Sequence, residues 1–264
     1  MDETEELICL CVRALVAQMG DVPGVEMHLT RNAVLGLTGD PSADFNRLTL
    51  GAGPEAEAFL IRSVARARER GLPLVAVMSP RAADALAPVA AELGLTAAGT
   101  SPLMVLRAGT PVTPSRPVRI TRALGRELTA IAGDLAAAAF ETPREVIARL
   151  IDVCVTETAG IETWIAWDDD LPISAVSVTP TGNTAGISLM ATPPEHQRKG
   201  MGRALLTQVM ADYRRRGVSR FHLGASEAGL RLYQSLGFET VADLPVWLLA
   251  DADGANTGRK RGGG

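Results

Sequence analysis

The sequence predicts an α/β protein built as two similar units in tandem. Three observations lead there. Short apolar runs alternate with amphipathic stretches that stop at glycine, a proline-rich segment interrupts this pattern near the middle, and the pattern then begins again. The 264 residues suffice for two small domains, and 47% hydrophobic against 21% charged content gives them a core to bury. Disorder is excluded as the main state. Charge interrupts the apolar stretches, as Arg13 does in Leu7 to Met19, and none reaches the roughly 18 residues of a bilayer span. The acidic start Asp2-Glu3-Thr4-Glu5-Glu6 predicts no secretory leader. Cys9, Cys11 and Cys154 have neither metal nor disulfide spacing, which predicts a reducing cytoplasm. A formal charge of -4 argues against general nucleic-acid binding.

In order along the chain, Thr4 caps a helix over 5–19 with an acidic first turn. Strands at 25–29 and 47–50 flank a turn-rich stretch, 36–42. Pro54 opens a helix through Phe59, Ile61 and Val64 that stops at Gly71. A buried strand at 72–78, a helix at 81–93 closed by Gly94 and a strand at 102–107 complete the first unit, 1–108. Residues 109–117, with Pro111, Pro114 and Pro117, read as a linker. The second unit, 118–250, opens with a strand at 118–121 and an alanine-rich helix from Leu124 to Phe140. Thr142-Pro143-Arg144-Glu145 is a capping box that starts the next helix. Strands at 164–167 and 173–179 are joined by the turn Asp168-Asp169-Asp170, and another strand runs over 186–192. Helices at 201–216 and 227–236, stopped by Gly217 and Gly237, alternate with strands at 220–225 and 245–249. Residues 251–264 read as a flexible tail.

The two units repeat one another. Leu93-Gly94-Leu95 followed by Pro102-Leu103-Met104-Val105-Leu106 matches Leu236-Gly237-Phe238 followed by Pro245-Val246-Trp247-Leu248-Leu249 at an offset of 143. Upstream, Ala58 to Gly71 and Ala204 to Gly217 are both helices ending in Arg-Gly before an apolar strand, at an offset of 146. Two such coincidences in one order point to a duplicated fold.

The chemistry concentrates in Met190-Ala191-Thr192-Pro193-Pro194-Glu195-His196-Gln197-Arg198-Lys199-Gly200-Met201-Gly202-Arg203. A buried strand runs through a short loop into a helix N-terminus. Gly200 and Gly202 let the backbone turn and leave its N–H groups uncovered, and the helix dipole stands behind them. Arg198, Lys199 and Arg203 crowd this positive end, an unfavourable arrangement that a bound anion would relieve. The bland alternative is a solvated basic loop at an ordinary helix start. The spacing fits neither the dinucleotide fingerprint nor the P-loop.

Gln197-x-x-Gly200-x-Gly202 resembles the pyrophosphate loop of the GCN5-related N-acetyltransferases, the GNAT family. Ser226 to Phe238, with Tyr233 ahead of Leu236-Gly237-Phe238, resembles that family's closing helix. The resemblance covers about 118–250, and the first unit resembles the same fold more weakly. It implies two tandem units, each a mixed, mostly antiparallel twisted sheet flanked by helices. It implies acetyl-CoA as cosubstrate, with no metal, and transfer of the acetyl group to a primary amine by direct attack. Strands 186–192 and 220–225 would splay to admit the pantetheine arm. Backbone groups of Met190, Ala191 and Thr192 would pair with its amides, and the loop Gln197, Arg198, Lys199, Gly200, Met201, Gly202 and Arg203 would hold the pyrophosphate. Ser226 stands where many members have Asn; it reads equally as a cofactor contact and as the N-cap of the following helix.

Tyr233 matches the family's general acid, and the chemistry agrees. The departing thiolate belongs to a thiol of pKa about 8.5, and a phenol of pKa about 10 can supply its proton. The competing reading is a core tyrosine between Leu230 and Leu236. Where peptide-acetylating relatives often place a glutamate stands Phe221, and strand alternation turns the neighbouring His222 to the opposite face. The general base stays unassigned. Positions matching 197–202 in the first unit are Gly51-Ala52-Gly53-Pro54-Glu55-Ala56, without a basic residue, and Ala90 matches Tyr233. The first unit therefore reads as a degenerate copy that helps shape the acceptor cleft. Trp164 and Trp167 read as core residues or as cleft lining. The competing function is a non-catalytic acyl-CoA sensor or assembly module; a nucleic-acid regulator rests only on Arg214-Arg215-Arg216 and the tail. The acceptor, a small molecule or a peptide, and the state, monomer or homodimer, stay open.

Overall fold

The computed structural model describes residues 2–151 and 160–250. Cys154 and the tail at 251–264 lie outside them. The first half runs α1 (Glu3–Met19), β1 (Glu26–Leu29), β2 (Ala33–Leu37), β3 (Asn46–Leu50), α2 (Ala56–Glu69), β4 (Leu74–Met78), α3 (Pro80–Glu92) and β5 (Thr96–Leu106). The second runs β6 (Arg119–Arg122), α4 (Gly125–Phe140), α5 (Arg144–Ile151), β7 (Glu162–Asp168), β8 (Leu171–Thr181), β9 (Thr184–Ala191), α6 (Met201–Arg215), β10 (Arg220–Gly224), α7 (Glu227–Ser235) and β11 (Glu239–Leu249).

All eleven strands join one sheet in the order β1-β2-β3-β4-β11-β5-β10-β9-β8-β7-β6. Only β3–β4 and β9–β10 pair in parallel; the other neighbours are antiparallel. Each half places its last strand inside the other: β5 lies between β11 and β10, and β11 between β4 and β5. The two exchanged strands begin 143 residues apart, at Thr96 and Glu239, and pair about a local two-fold axis through Ser101↔Leu244. Glu239↔Val105 maps onto Leu248↔Thr96, and Asp243↔Pro102 onto Pro245↔Thr100.

Strand alternation assigns the faces. Leu74, Ala76 and Met78 meet α2 and α3, while Val75 and Val77 turn the other way, toward α1. Met104, Leu106, Phe221 and Leu223 form a core with α6 and α7. On the opposite face, Leu7 and Ile8 of α1 cover Leu103, Val105, Leu244 and Val246 at the seam. Ala132, Leu135 and Ile147 from α4 and α5 cover Ile165, Ala175 and Ala191 beside it.

Residues 109–117 form no helix or strand but lie docked along α6: Ser115 N donates to Thr207 Oγ1 (3.4 Å), and Val112 packs on the core beneath α6.

Several local expectations are corrected. Asp2 rather than Thr4 caps α1, its carboxylate accepting from Glu5 N (2.9 Å). Among the described residues Thr142 makes no side-chain cap; its hydroxyl donates to Phe140 O (3.1 Å) after the left-handed turn at Glu141, and Pro143 O accepts from Val146 N (3.1 Å) at the helix start. Strand β2, not expected from the sequence, reaches into the first two residues of the turn-rich stretch; Gly36 sits inside it because a Cβ there would meet Met27 Sδ at 3.1 Å and Met19 Cε at 3.2 Å. Both β5 and β11 extend well upstream of their apolar runs, because their small and polar N-terminal portions pair with each other.

The exchange predicts that residues 1–108 and 118–264, expressed separately, melt without a cooperative transition, each lacking a strand the other supplies. Together they should recover a 1:1 complex, measurable by size-exclusion chromatography and circular dichroism. Two independently folded monomers would contradict the exchange.

Candidate functional site

Strands β9 and β10 pair at Arg220↔Thr184, Phe221↔Ala185 and His222↔Gly186, and then part. Beyond that point the remainder of β9 and Leu223–Gly224 of β10 face each other without ladder hydrogen bonds, leaving a wedge-shaped slot within the sheet. A bulge sharpens the parting. Ala191 pairs with Ala175 and Ser188 with Ser177, so Leu189 and Met190 together oppose Val176, with Leu189 left-handed at φ 48. For a leucine this backbone is strained, and strain of this kind collects at functional sites. Leu189 packs toward α4 and Met190 toward α6.

The slot opens onto the N-terminus of α6. Gly200, its N-cap residue, is left-handed (φ 78) and provides no side-chain cap, so the first N–H groups of α6 are left without one. Arg198 is left-handed too (φ 58), which turns successive N–H groups to a common side. Gly202 is needed for contact: a Cβ there would meet Met190 Cε at 2.9 Å and Thr192 Oγ1 at 3.1 Å. Gln197 donates through Nε2 to Thr192 O (2.9 Å), closing the loop on the strand end. Ser174 Oγ supports the same end by donating to Ala191 O (2.8 Å). Arg198 and Lys199 are exposed and make no hydrogen bond or ion pair among the described residues. Arg203 instead turns its guanidinium to Ser235 at the end of α7, donating to its carbonyl (3.1 Å) and leaving only its backbone for the loop. Met201 is buried in the α6 core.

Tyr233 lies in the same core as Met190, Leu223 and Ala225, edge-on to Phe238 at 5.8 Å between ring centroids. Burial pushes its phenol up to about 12, so it carries its proton throughout the neutral range. Gly229 makes room for the ring: a Cβ there would lie 2.8 Å from Tyr233 Cε2. The sequence pointed to Tyr233 but not to Gly229; a glycine inside a helix, four residues before a tyrosine, was the available signal.

Ser226 caps α7, its hydroxyl oxygen accepting from Gly229 N (3.2 Å). The first half shows what else such a serine does. Ser79, 147 residues earlier, caps α3 by accepting from Ala82 N (3.2 Å) while donating to the Glu5 carboxylate (2.6 Å). That carboxylate also accepts from Ala52 N (3.0 Å), in the stretch that matches the loop 197–202. In the first half, then, a buried side-chain anion from α1 occupies the place between loop and serine, and β3 and β4 stay paired from Arg47↔Val75 to Leu50↔Met78. One slot is zipped and plugged; the other is open.

His222 faces α1, on the opposite side of the sheet from Phe221. It is 3% exposed, its Nδ1 lies 3.8 Å from Cys11 Sγ, and burial lowers its pKa to about 4. The arginine run is engaged within the fold: Arg216 pairs bidentately with Glu162 (2.7 Å each), Arg215 with Asp212 (2.9 Å), and Arg214 lies over Phe221 while donating to Arg107 O (2.9 Å). Trp164 packs in the α6 core. Trp167 donates to Thr121 Oγ1 (2.8 Å), beside a cleft of ≈ 430 Å³ shared with Arg116 and Arg119. Among the described residues no helix is long and apolar enough to cross a membrane.

Residues 159–240 match the family described as "Acetyltransferase (GNAT) domain". Part of the second half is therefore similar to GNAT domains. Over 52 residues it is 40% identical to the [Ribosomal protein bS18]-alanine N-acetyltransferase of Escherichia coli (strain K12). That match takes in 19% of this chain and 35% of the relative, so the chain spans about a third of the length of this curated relative. In fold it is similar to a GCN5-related N-acetyltransferase from Kribbella flavida (TM-score 0.66, 18% identity), over 93% of this chain and 96% of that one. It is also similar to a tandem GNAT protein from the clavulanic acid biosynthesis pathway (TM-score 0.61, 15% identity), over 90% and 87% of the two chains. The mixed, mostly antiparallel sheet with flanking helices is thus the GNAT architecture.

Two outcomes follow from the geometry. Calorimetric titration of acetyl-CoA should give one site per chain, because the first slot is zipped. Glu5→Ala should leave that number at one while costing about 3 kcal/mol, since two sheltered donors lose their acceptor; a second binding event in wild type would refute the closed first slot. His222 titrates near 6.5 when unfolded and about 4 when folded, so between those values the unfolded state binds the extra proton. Stability should fall as pH drops from about 6.5 to about 4, and His222→Gln should flatten that part of a melting-temperature profile.

Proposed function

We propose that the second half of the chain, residues 118–250, is an acetyl-CoA-dependent N-acetyltransferase that moves an acetyl group onto a primary amine by direct attack. The first half, 1–108, is read as a degenerate copy joined through 109–117. The observation that carries this reading is the open β9–β10 slot ending at the uncapped α6 N-terminus: an extended arm with amide groups fits the unpaired strand edges, and a pyrophosphate fits the exposed N–H cluster.

Bound acetyl-CoA supplies an activated thioester. The chain supplies the rest. Backbone groups of Met190, Ala191 and Thr192 orient the arm as an added strand. The loop 197–203 holds the pyrophosphate through N–H groups, with Arg198 and Lys199 adding charge. Ser226, whose oxygen caps α7, keeps its O–H free to donate, as Ser79 does to Glu5. Tyr233 holds a proton at Oη for the departing sulfur, and its buried environment keeps that proton in place. Most of the acceleration comes from orientation and from a strand N–H polarising the carbonyl. No side chain is assigned as base. Its depressed pKa and its contact with Cys11 make His222 a neutral, packed residue.

A non-catalytic acyl-CoA module is the competing reading, favoured by Phe221 at the position of the relatives' acid. Calorimetry with turnover separates the two. Gly202→Glu drives a carboxylate into the anion loop and should abolish acetyl-CoA binding. Tyr233→Phe should bind acetyl-CoA with unchanged affinity and lower kcat by roughly 10- to 100-fold, the scale of one general acid. Tight binding by wild type with no thiol release over a broad amine panel would support the sensor instead.

A further inference from the structure

The face of the sheet under α1 carries a cation that neither the fold nor the cosubstrate uses. Arg47 is the only exposed residue of β3, and among the described residues its side chain makes no hydrogen bond and no ion pair. The protein around it nonetheless desolvates its guanidinium enough to lower its pKa. Arg47 is thus reachable from solvent while the protein packed around it disfavours its charge. A desolvated, unpaired guanidinium costs stability, and folded chains seldom leave one so without a ligand.

Its position links it to the open slot. Alternation points Arg47 to the α1 face, because its neighbour Leu48 packs under α2. Phe45, two residues earlier, packs against the same apolar cluster as Ala191 and Leu189, which border the slot. Cys11 of α1 lies close enough to Arg47 to interact with its charge, and its sulfur touches His222 on the other edge of the slot. Gln18, two helical turns beyond Cys11, donates to Ser188, the residue before the bulge. Ala14 lies between them, facing Gly186. One stripe of α1 thus roofs the opening of the slot, and Arg47 stands beside that roof. The other groups facing it are the Cys11 thiol and the exposed carboxylate of Asp44.

We propose that the acceptor is an amine that also bears a carboxylate, and that Arg47 holds this carboxylate while the amine lies at the open slot. The proposal rests on the acetyltransferase reading. A planar guanidinium fits a carboxylate through two parallel hydrogen bonds. A single guanidinium with Asp44 nearby suits a monoanion better than a doubly charged phosphate. The acceptor site is then made by both halves, and the degenerate half acts as its specificity element.

The test uses matched amines with and without the acid group: L-lysine and cadaverine, L-ornithine and putrescine, γ-aminobutyrate and propylamine. Thiol release from acetyl-CoA is followed for wild type, Arg47→Ala, Arg47→Lys and the control Arg62→Ala on the opposite face. The carboxylated member of at least one pair should lead by tenfold or more in kcat/KM. Arg47→Ala should erase that lead by raising the acceptor KM, with acetyl-CoA affinity unchanged and Arg47→Lys intermediate. Its melting temperature should equal or exceed that of wild type, because an unpaired arginine supports nothing in the fold. Equal rates within every pair, an unaltered KM in Arg47→Ala, or a melting temperature lowered by several degrees would each overturn the anion anchor. Acetyl-CoA binding with no turnover of any carboxylated amine overturns it as well. Absence of acetyl-CoA binding by wild type brings down the acetyltransferase reading itself.

Discussion

The antiparallel pairing of β5 with β11 is the interaction on which the rest of the molecule depends. Each strand is the last of its half, and each completes the other half's sheet before its own. The seam is self-complementary about Ser101↔Leu244, so a duplicated strand meets its own duplicate with nearly the same register from either side. Leu7 and Ile8 lie on this seam, which fixes α1 across the midline instead of over one half. From there α1 carries Cys11 and Gln18 to β10 and β9. The position of the candidate site under an element of the first half is therefore a consequence of the strand exchange.

The same fold, present twice, shows how a ligand slot is gained or lost. In the second half three rungs of parallel ladder are followed by a bulge at Leu189 and a glycine-bearing turn, and the strands diverge. In the first half the ladder continues to Leu50↔Met78, and Glu5 satisfies the donors at its end. A carboxylate tethered to α1 reaches those donors without the entropy of bringing in a free anion. The serine at the start of the next helix is common to both, capping in each.

Much of this was legible in the residues, and the rest was hidden for identifiable reasons. The repeat at 143 residues was read from strands 102–106 and 245–249, which turn out to be the seam itself. Their exchange was not legible, because both carry the same apolar pattern and either would complete either half. The full lengths of β5 and β11 were hidden by their exposed, small-residue beginnings, which pair without being buried. Gly200 and Gly202 stood out through spacing and neighbouring charge, whereas Gly229 is explained only by the ring of Tyr233 above it. Alternation along β3 would have turned Arg47 away from the α2 core. That it stands beside elements of the other half depends on the contacts of Phe45 and Cys11, which no local pattern encodes.

The slot between β9 and β10 is also an interior edge. Sheets usually confine unpaired backbone to their margins, where charge, proline or bulges discourage strangers from pairing. Here bare N–H and C=O groups face one another in the middle of an eleven-stranded sheet, flanked by Leu189 and Leu223. Any extended segment of suitable width is a rival for that space, including a strand from a partly opened neighbour. Occupancy of the slot by its proper arm would then do more than serve chemistry: it would seal an interior gap through which this sheet is open to aggregation.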